Sequence, residues 1–246
     1  MLSYSSFNDF TDCRHKYDLL HNYGFKVDSS QAIEVGIIVH DILNKIHTKS
    51  KNEGYVDDSF IDEIIENVYE SNPILKNDYS HIIESIKEYW MHYGSKWTIR
   101  DSELPFSIVG EKYDFQGKID LIVQEDPNSN EITIIDFKTT NDARLNHPGV
   151  REKYRHQLQL YYHALKKDPL YSNYQITKLK IFQIDGEDIS DDEKNNFEID
   201  EDDIEILLNS LDYSVDQMYE GIYDKNLKSC YLCPLKDLCN LSNIIF

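Results

Sequence analysis

No run of about 18 consecutive apolar residues occurs in this 246-residue chain, so no transmembrane helix is expected. The first residues, "MLSYSSFNDFTDC", hold neither a basic leader nor an apolar segment. A secretory signal peptide is therefore not expected, and a cytoplasmic protein is. The phosphate-cradling pattern G-x4-G-K-[ST] is absent, so no helicase motif of that kind is present. No RNA-binding motif with stacking aromatics is evident, which disfavours a zinc-stabilised RNA-processing factor. Cysteine is scarce, at four residues. In a reducing compartment four cysteines are poor candidates for structural disulfides, which leaves metal binding or chance. Positive charge is also scarce: 25 Lys and Arg face 45 Asp and Glu, a net of −20 that disfavours a nucleic-acid partner.

The distribution of charge softens that exclusion. The segment 185–205, "DGEDISDDEKNNFEIDEDDIE", holds twelve acidic residues and one lysine, and reads as a solvated loop or helix face. The rest of the chain carries only −9. Between Lys138 and Lys167, seven Lys or Arg stand against Asp142 and Glu152. A local patch therefore permits what the global charge disfavours, and Arg151, Lys153 and Arg155 are candidates to grip phosphates.

At this length the chain can bury a real hydrophobic core. Apolar residues at helical spacing predict helices over 3–20, 34–48, 58–70 and 78–93. The period then changes. "ELPFSIVG", "YDFQGKIDLIVQ" and "EITIIDFKT" read as three strands separated by Gly or by the turn-forming "EDPNSN". Helical spacing returns over 149–167, "ITKLKIFQID" reads as a fourth strand, and a helix near 201–221 precedes a cysteine-bearing tail. The layout is mixed α/β, a small sheet flanked by helices.

Chemistry gathers at two strand ends. Asp120 interrupts the apolar run of "GKIDLIV", and Asp136 ends that of "ITII". If the two strands pair as a hairpin, their carboxylates approach one another and repel unless a cation lies between them. Mg²⁺ or a similar hard ion prefers such oxygen ligands, lowers the pKa of bound water and neutralises charge developing on a phosphate. Lys138 follows Asp136 by two residues and so shares its strand face.

"GKID", then "IIDFKT", then "YRHQLQLYYHAL" on a helix together resemble the PD-(D/E)xK nuclease superfamily in its RecB-like branch. The matching positions are Gly117 with Asp120, Asp136 with Lys138, and Gln157 with Tyr161, the last pair on one helix face by i, i+4 spacing. The resemblance runs from about residue 3 to residue 240. It implies a restriction-endonuclease-like αβββαβ core with an N-terminal helical region and a C-terminal cysteine tail. It also implies a metal-dependent DNA nuclease. Mg²⁺ or Mn²⁺ would be held by His40, Asp120, Asp136 and the carbonyl of Phe137, with Lys138 acting on water and phosphate, and Gln157 and Tyr161 supporting it. Glu103 resembles a further acidic position of the family. A single nuclease domain over 1–246 is expected: a mainly helical lobe to residue 100, the catalytic sheet and helix over 101–185, and an acidic segment, helix and tail over 186–246.

The tail "CYLCPLKDLC" places Cys230, Cys233 and Cys239 as C-x2-C-x5-C, with Cys13 over two hundred residues away. A C-x2-C loop can turn both sulfurs toward one metal, and four thiolates suit zinc or an iron–sulfur cluster. The spacing does not fit the bacterial ferredoxin run, and no second C-x2-C completes a zinc ribbon. One cysteine early and three late is similar to the layout of RecB-like nucleases with a 4Fe–4S cluster, including AddB-type nuclease domains and the CRISPR-associated exonuclease family. The resemblance implies a 4Fe–4S cluster on these four residues, with zinc and unliganded thiols as alternatives. Its expected role is a clasp between the chain ends. The cluster-bearing relatives imply single-stranded DNA ends as substrate and a helicase or CRISPR-adaptation protein as partner. A non-catalytic binding or scaffold subunit is the alternative, and the net charge is its best support.

Overall fold

The computed structural model describes residues 2–27, 30–72, 80–110, 112–140, 142–184, 193–231 and 233–239. The chain divides into two compact units. One comprises Ser30–Phe106 and Lys118–Asp200; the other comprises Met1–Ser29, Ser107–Gly117 and Glu201–Phe246. No helix among the described residues is long and apolar enough to cross a membrane.

The sequence periods convert into elements for identifiable reasons. In the larger unit, α3 (Gln31–Glu53) buries Val35, Val39, Ile42, Leu43, Ile46 and His47, a stripe with helical spacing. It ends at Gly54, whose φ of 79° is open to glycine at little cost. Asp57 caps α4 (Asp58–Ser71) by accepting from the Phe60 N–H. With α5 (Ser80–His92), these helices cover one face of the sheet through a shared core that includes Tyr89, Trp90, Leu121, Ile135 and Phe182.

The sheet has five strands in the order β1 (Thr98–Val109), β2 (Asp114–Gln124), β3 (Glu131–Lys138), β4 (Gln175–Gln183) and β5 (Asn196–Phe197). β2 and β3 pair antiparallel, with Leu121 opposite Ile135 and Ile122 opposite Ile134. β3 and β4 pair parallel, so the chain must cross over between them. It does so through α6 (Asp142–Leu145) and α7 (Pro148–Lys166), the latter with proline at its start, where the missing N–H costs nothing. The predicted mixed α/β layout is thus observed. Two strand expectations are corrected: β1 begins five residues before "ELPFSIVG", and β5 was not foreseen, because two residues carry no readable period.

In the smaller unit, Ser3 and Ser6 form a reciprocal capping box that starts α1 (Tyr4–Asp12). The helix expected over 3–20 is interrupted. Cys13 is extended, with φ −163° and ψ 111°, before α2 (Arg14–Tyr17) and a π-helical turn over Asp18–Asn22. Phe7, Phe10 and Leu19 are buried on both sides of the break, so the apolar period runs through it. Ile204, Leu207, Leu211 and Val215 form the buried stripe of α8 (Glu201–Tyr219), and Glu201, Asp202 and Asp203 occupy its first turn, where the helix dipole favours them. The first eight residues of the acidic block, 185–192, lie outside the described residues.

Candidate functional site

One step along the ladder from the Leu121–Ile135 pair, β2 and β3 bring Asp120 and Asp136 together. Asp120 accepts the Phe137 N–H at 2.8 Å, which ties its carboxylate across the strands. Asp136 is 1% exposed, and its Oδ2 lies 2.5 Å from Lys138 Nζ. That contact is a buried, charge-assisted pair in which the Lys138 ammonium serves the Asp136 carboxylate. Its other oxygen accepts from the Tyr161 hydroxyl at 3.5 Å.

Helix α7 supplies a second row. Lys138 Nζ donates to Gln157 Oε1 at 3.3 Å, and Gln157 Nε2 donates to the Tyr161 hydroxyl at 2.6 Å. The i, i+4 spacing of Gln157 and Tyr161 makes this chain of contacts possible. Phe106 packs edge-on against Tyr161 at 5.5 Å. The Tyr154 ring, one helical turn before Gln157, lies 5.0 Å from Lys138 Nζ and adds a cation–π contact.

Helix α3 brings His40. A Cβ on Gly36 would stand 3.4 Å from Thr139 Oγ1, an ordinary contact distance that marks how near this face of the helix runs to the end of β3. His40 Nδ1 lies 3.5 Å from Glu103 Oε1 and 3.6 Å from Asp120 Oδ2. Among the described residues, His40, Glu103 and Asp120 are the group of three metal-ligating side chains whose ligand atoms lie within 4.8 Å of one another. Glu103 has a φ of 50°, in the left-handed region that costs an L residue about 1–2 kcal/mol. Lys118 Nζ approaches its other oxygen at 3.4 Å.

The electrostatics follow from burial and crowding. Burial, and then the neighbouring Asp136, pushes the Asp120 carboxyl up to about 7. Burial alone would lower His40, but Glu103, Asp120 and Asp136 outweigh it and raise its pKa. Burial likewise opposes the Lys138 charge, and Asp136 and Asp120 reverse that effect, so its pKa rises. The hydrogen bond from His40 is the main influence holding Glu103 below the usual carboxylate range. The site is therefore a dense set of acidic oxygens balanced by the Lys138 ammonium and the His40 imidazole, with Lys118 at its edge. A hard divalent cation suits this donor set of carboxylate oxygens and one imidazole.

The predicted residues are thus distributed as follows. His40, Asp120, Asp136, Phe137, Lys138, Gln157 and Tyr161 all fall in the larger unit and within this contact network. The basic residues of α7 are partly engaged elsewhere. Arg151 donates to the Lys194 carbonyl and lies 4.5 Å over the Phe197 ring, and Arg155 pairs with Glu152 at 2.6 Å. Lys153 is half-buried on the same helix. Tyr154 was missed, although its position three residues before Gln157 was the available signal.

The four cysteines fall in the smaller unit, all reduced, with Cys13 buried and the other three half-buried. All four line one cavity of about 340 Å³. Their sulfurs do not gather as the carboxylate group does: no three cysteines have sulfurs within 4.8 Å of one another.

Buried paired carboxylates with a strand-borne lysine define a site equipped to hold a divalent cation against a phosphate. Residues 1–240 match the family described as the PD-(D/E)XK nuclease superfamily, and the chain belongs to it. The five-stranded mixed sheet with its helices is consistent with the restriction-endonuclease-like fold of that superfamily. Among solved structures, a candidate exonuclease from Eubacterium rectale is similar at 15% identity and TM-score 0.53, covering 96% of this chain and 86% of its own. The protein SSO0001 aligns at 18% identity over 82% of this chain and 84% of its own, with a TM-score of 0.39 that carries no fold assignment. The comparison with curated proteins gave no match.

Proposed function

We propose that this protein is a divalent-metal-dependent deoxyribonuclease that hydrolyses phosphodiester bonds at single-stranded DNA ends. The observation that carries the reading is the gathering of His40, Glu103 and Asp120, with ligand atoms within 4.8 Å of one another, beside the buried Asp136 that pairs with Lys138 at 2.5 Å. Asp120, Asp136 and His40, with the Phe137 carbonyl, would hold Mg²⁺ or Mn²⁺, and Glu103 joins the set by its proximity to His40. A bound divalent ion supplies Lewis acidity toward the phosphate and toward water. Asp120, which burial and Asp136 bias toward its protonated form, would release a proton as the cation enters. Lys138, held by Gln157 and Tyr154, orients the attacking water and offers positive charge to the scissile phosphate.

The cysteine cavity supports a 4Fe–4S cluster over zinc. Zinc binds thiolates at about 2.3 Å, which draws all four sulfurs close to one point. The roomier cavity and ungathered sulfurs suit a larger group, whose role is to clasp the Cys13 segment to the tail. A helicase or CRISPR-adaptation protein is the proposed partner, one that would supply the strand separation for which this sequence carries no G-x4-G-K-[ST] motif. The net charge of −20 favours one rival reading, a non-catalytic scaffold subunit. End-labelled single-stranded and duplex DNA incubated with Mn²⁺ separates them. Wild type should shorten single strands from an end, and Lys138→Ala should be slower by about 10²–10³-fold. Equal rates in the two proteins, or no cleavage by either, would leave the scaffold.

A further inference from the structure

Asn226 stands between the segment that carries Cys13 and the segment that carries Cys230, and it contacts both. Its backbone N–H donates to Cys13 Sγ at 3.4 Å. Its side-chain Nδ2 donates to the Asp12 carbonyl at 2.8 Å and to Ser229 Oγ at 3.0 Å. Its Oδ1 accepts from the Lys228 N–H at 3.2 Å, capping the 3₁₀ turn Leu227–Ser229 that delivers Cys230. Its carbonyl accepts from the Ser229 N–H at 3.0 Å and from the Cys230 thiol at 3.7 Å.

From these contacts we infer that Asn226 is a positioning residue of the four-thiol site: it assembles the Cys13 and Cys230 segments before a cofactor arrives and then sets how tightly an iron–sulfur cluster is retained. The inference rests on the cluster reading above. Few side chains other than an amide supply both the donor for Asp12 and the acceptor for Lys228. Neighbouring contacts strengthen the strap. The His15 N–H donates to the Asp224 carbonyl at 3.2 Å, Lys225 Nζ to the Cys239 carbonyl at 3.2 Å, and Ser229 Oγ to the Asp12 carbonyl at 2.7 Å. Three consecutive residues, 224–226, thereby join the break after α1 to both ends of the C-x2-C-x5-C tail. The extended backbone at Cys13 interrupts the helix where its sulfur meets the Asn226 N–H. Ligation removes the Cys230 thiol proton, so that hydrogen bond belongs to the free site. The N–H on Cys13 remains, placing the positive end of a dipole on a sulfur that carries cluster charge. Hydrogen bonds to cluster sulfurs are one of the levers that set reduction potential.

The test is anaerobic reconstitution of the full chain with ferrous iron and sulfide. It is followed by the loss of charge-transfer absorbance under an iron chelator and by a redox titration. Wild type should take up the chromophore, and Cys13→Ala should not. Asn226→Ala and Asn226→Asp should take it up and lose it about 10-fold faster, with the midpoint moved to lower potential. Should Asn226→Asp not fold, Asn226→Ser keeps a capping oxygen without the reach to Asp12 and takes its place. A wild type that binds no cluster sinks the cluster reading and this inference with it. A wild-type cluster with unchanged loss rate and midpoint in the variants overturns the role of Asn226 alone.

Discussion

In the larger unit the chemistry sits on strands. Asp120, Asp136 and Lys138 are placed by a ladder whose register is set by buried Ile and Leu pairs, and α7 adds Gln157 and Tyr161 from one face. In the smaller unit the chemistry sits on turns and breaks. Cys13 interrupts a helix, Cys230 and Cys233 follow short turns, and Cys239 closes a helical turn over 236–239. The first site is already charge-balanced by its own lysine and histidine. The second consists of reduced thiols around a cavity, and under the proposed cluster reading it would depend on that group. Geometry supported by a sheet survives loss of its cofactor; geometry supported by turns draws stability from it.

Removing a thiol should break this comparison most visibly. Cys13→Ala is expected to abolish cofactor binding and to destabilise the protein by roughly 3 kcal/mol, as losing a long-range staple does. Iron analysis and chemical denaturation check it, and a cofactor-replete, fully stable variant would refute the clasp. Acid should act on the larger unit instead. His47 is buried, its Nε2 is 2.9 Å from the Tyr89 hydroxyl, and its ring stacks on Phe137. Burial lowers its pKa from 6.5 to about 3. Between those values the unfolded chain binds a proton that the folded chain does not, so stability falls as pH drops below about 6.5. At about 1.4 kcal/mol per pH unit, the loss is on the order of 4 kcal/mol near pH 3. Denaturation midpoints for wild type and His47→Gln across that range measure it; parallel curves would remove His47 as the cause. The smallest effect belongs to Glu103→Gln. It should weaken Mn²⁺ binding by about 10-fold while leaving the fold intact, as read by calorimetric titration. Unchanged affinity would detach Glu103 from the metal set.

The carboxylate site was legible in the sequence because its logic is local. A carboxylate interrupting one apolar strand and another near the end of the next, with a lysine two residues on, share a face when the strands pair in this register. Gln157 and Tyr161 were legible for the same reason on a helix. Glu103 was visible only as a resemblance, since its approach to His40 depends on a left-handed φ that no periodicity reveals. Tyr154 went unnoticed because a tyrosine on a half-buried helix face looks like packing. The break at Cys13 was hidden by Phe7, Phe10 and Leu19, which keep the apolar period running across it. The meeting of Arg151 with the Lys194 carbonyl was equally invisible, because it joins residues forty-three apart in the chain.

The central claim is that Asp120 and Asp136 hold the ion that makes this site hydrolytic. Its most direct test is the rate of single-stranded DNA cleavage titrated against Mn²⁺ for wild type and Asp136→Asn. Wild type should rise from no activity to saturation as Mn²⁺ is added, while a folded Asp136→Asn stays at least about 10²-fold slower at every concentration. Matching titration curves for the two proteins, or wild-type cleavage that persists without divalent metal, would contradict it.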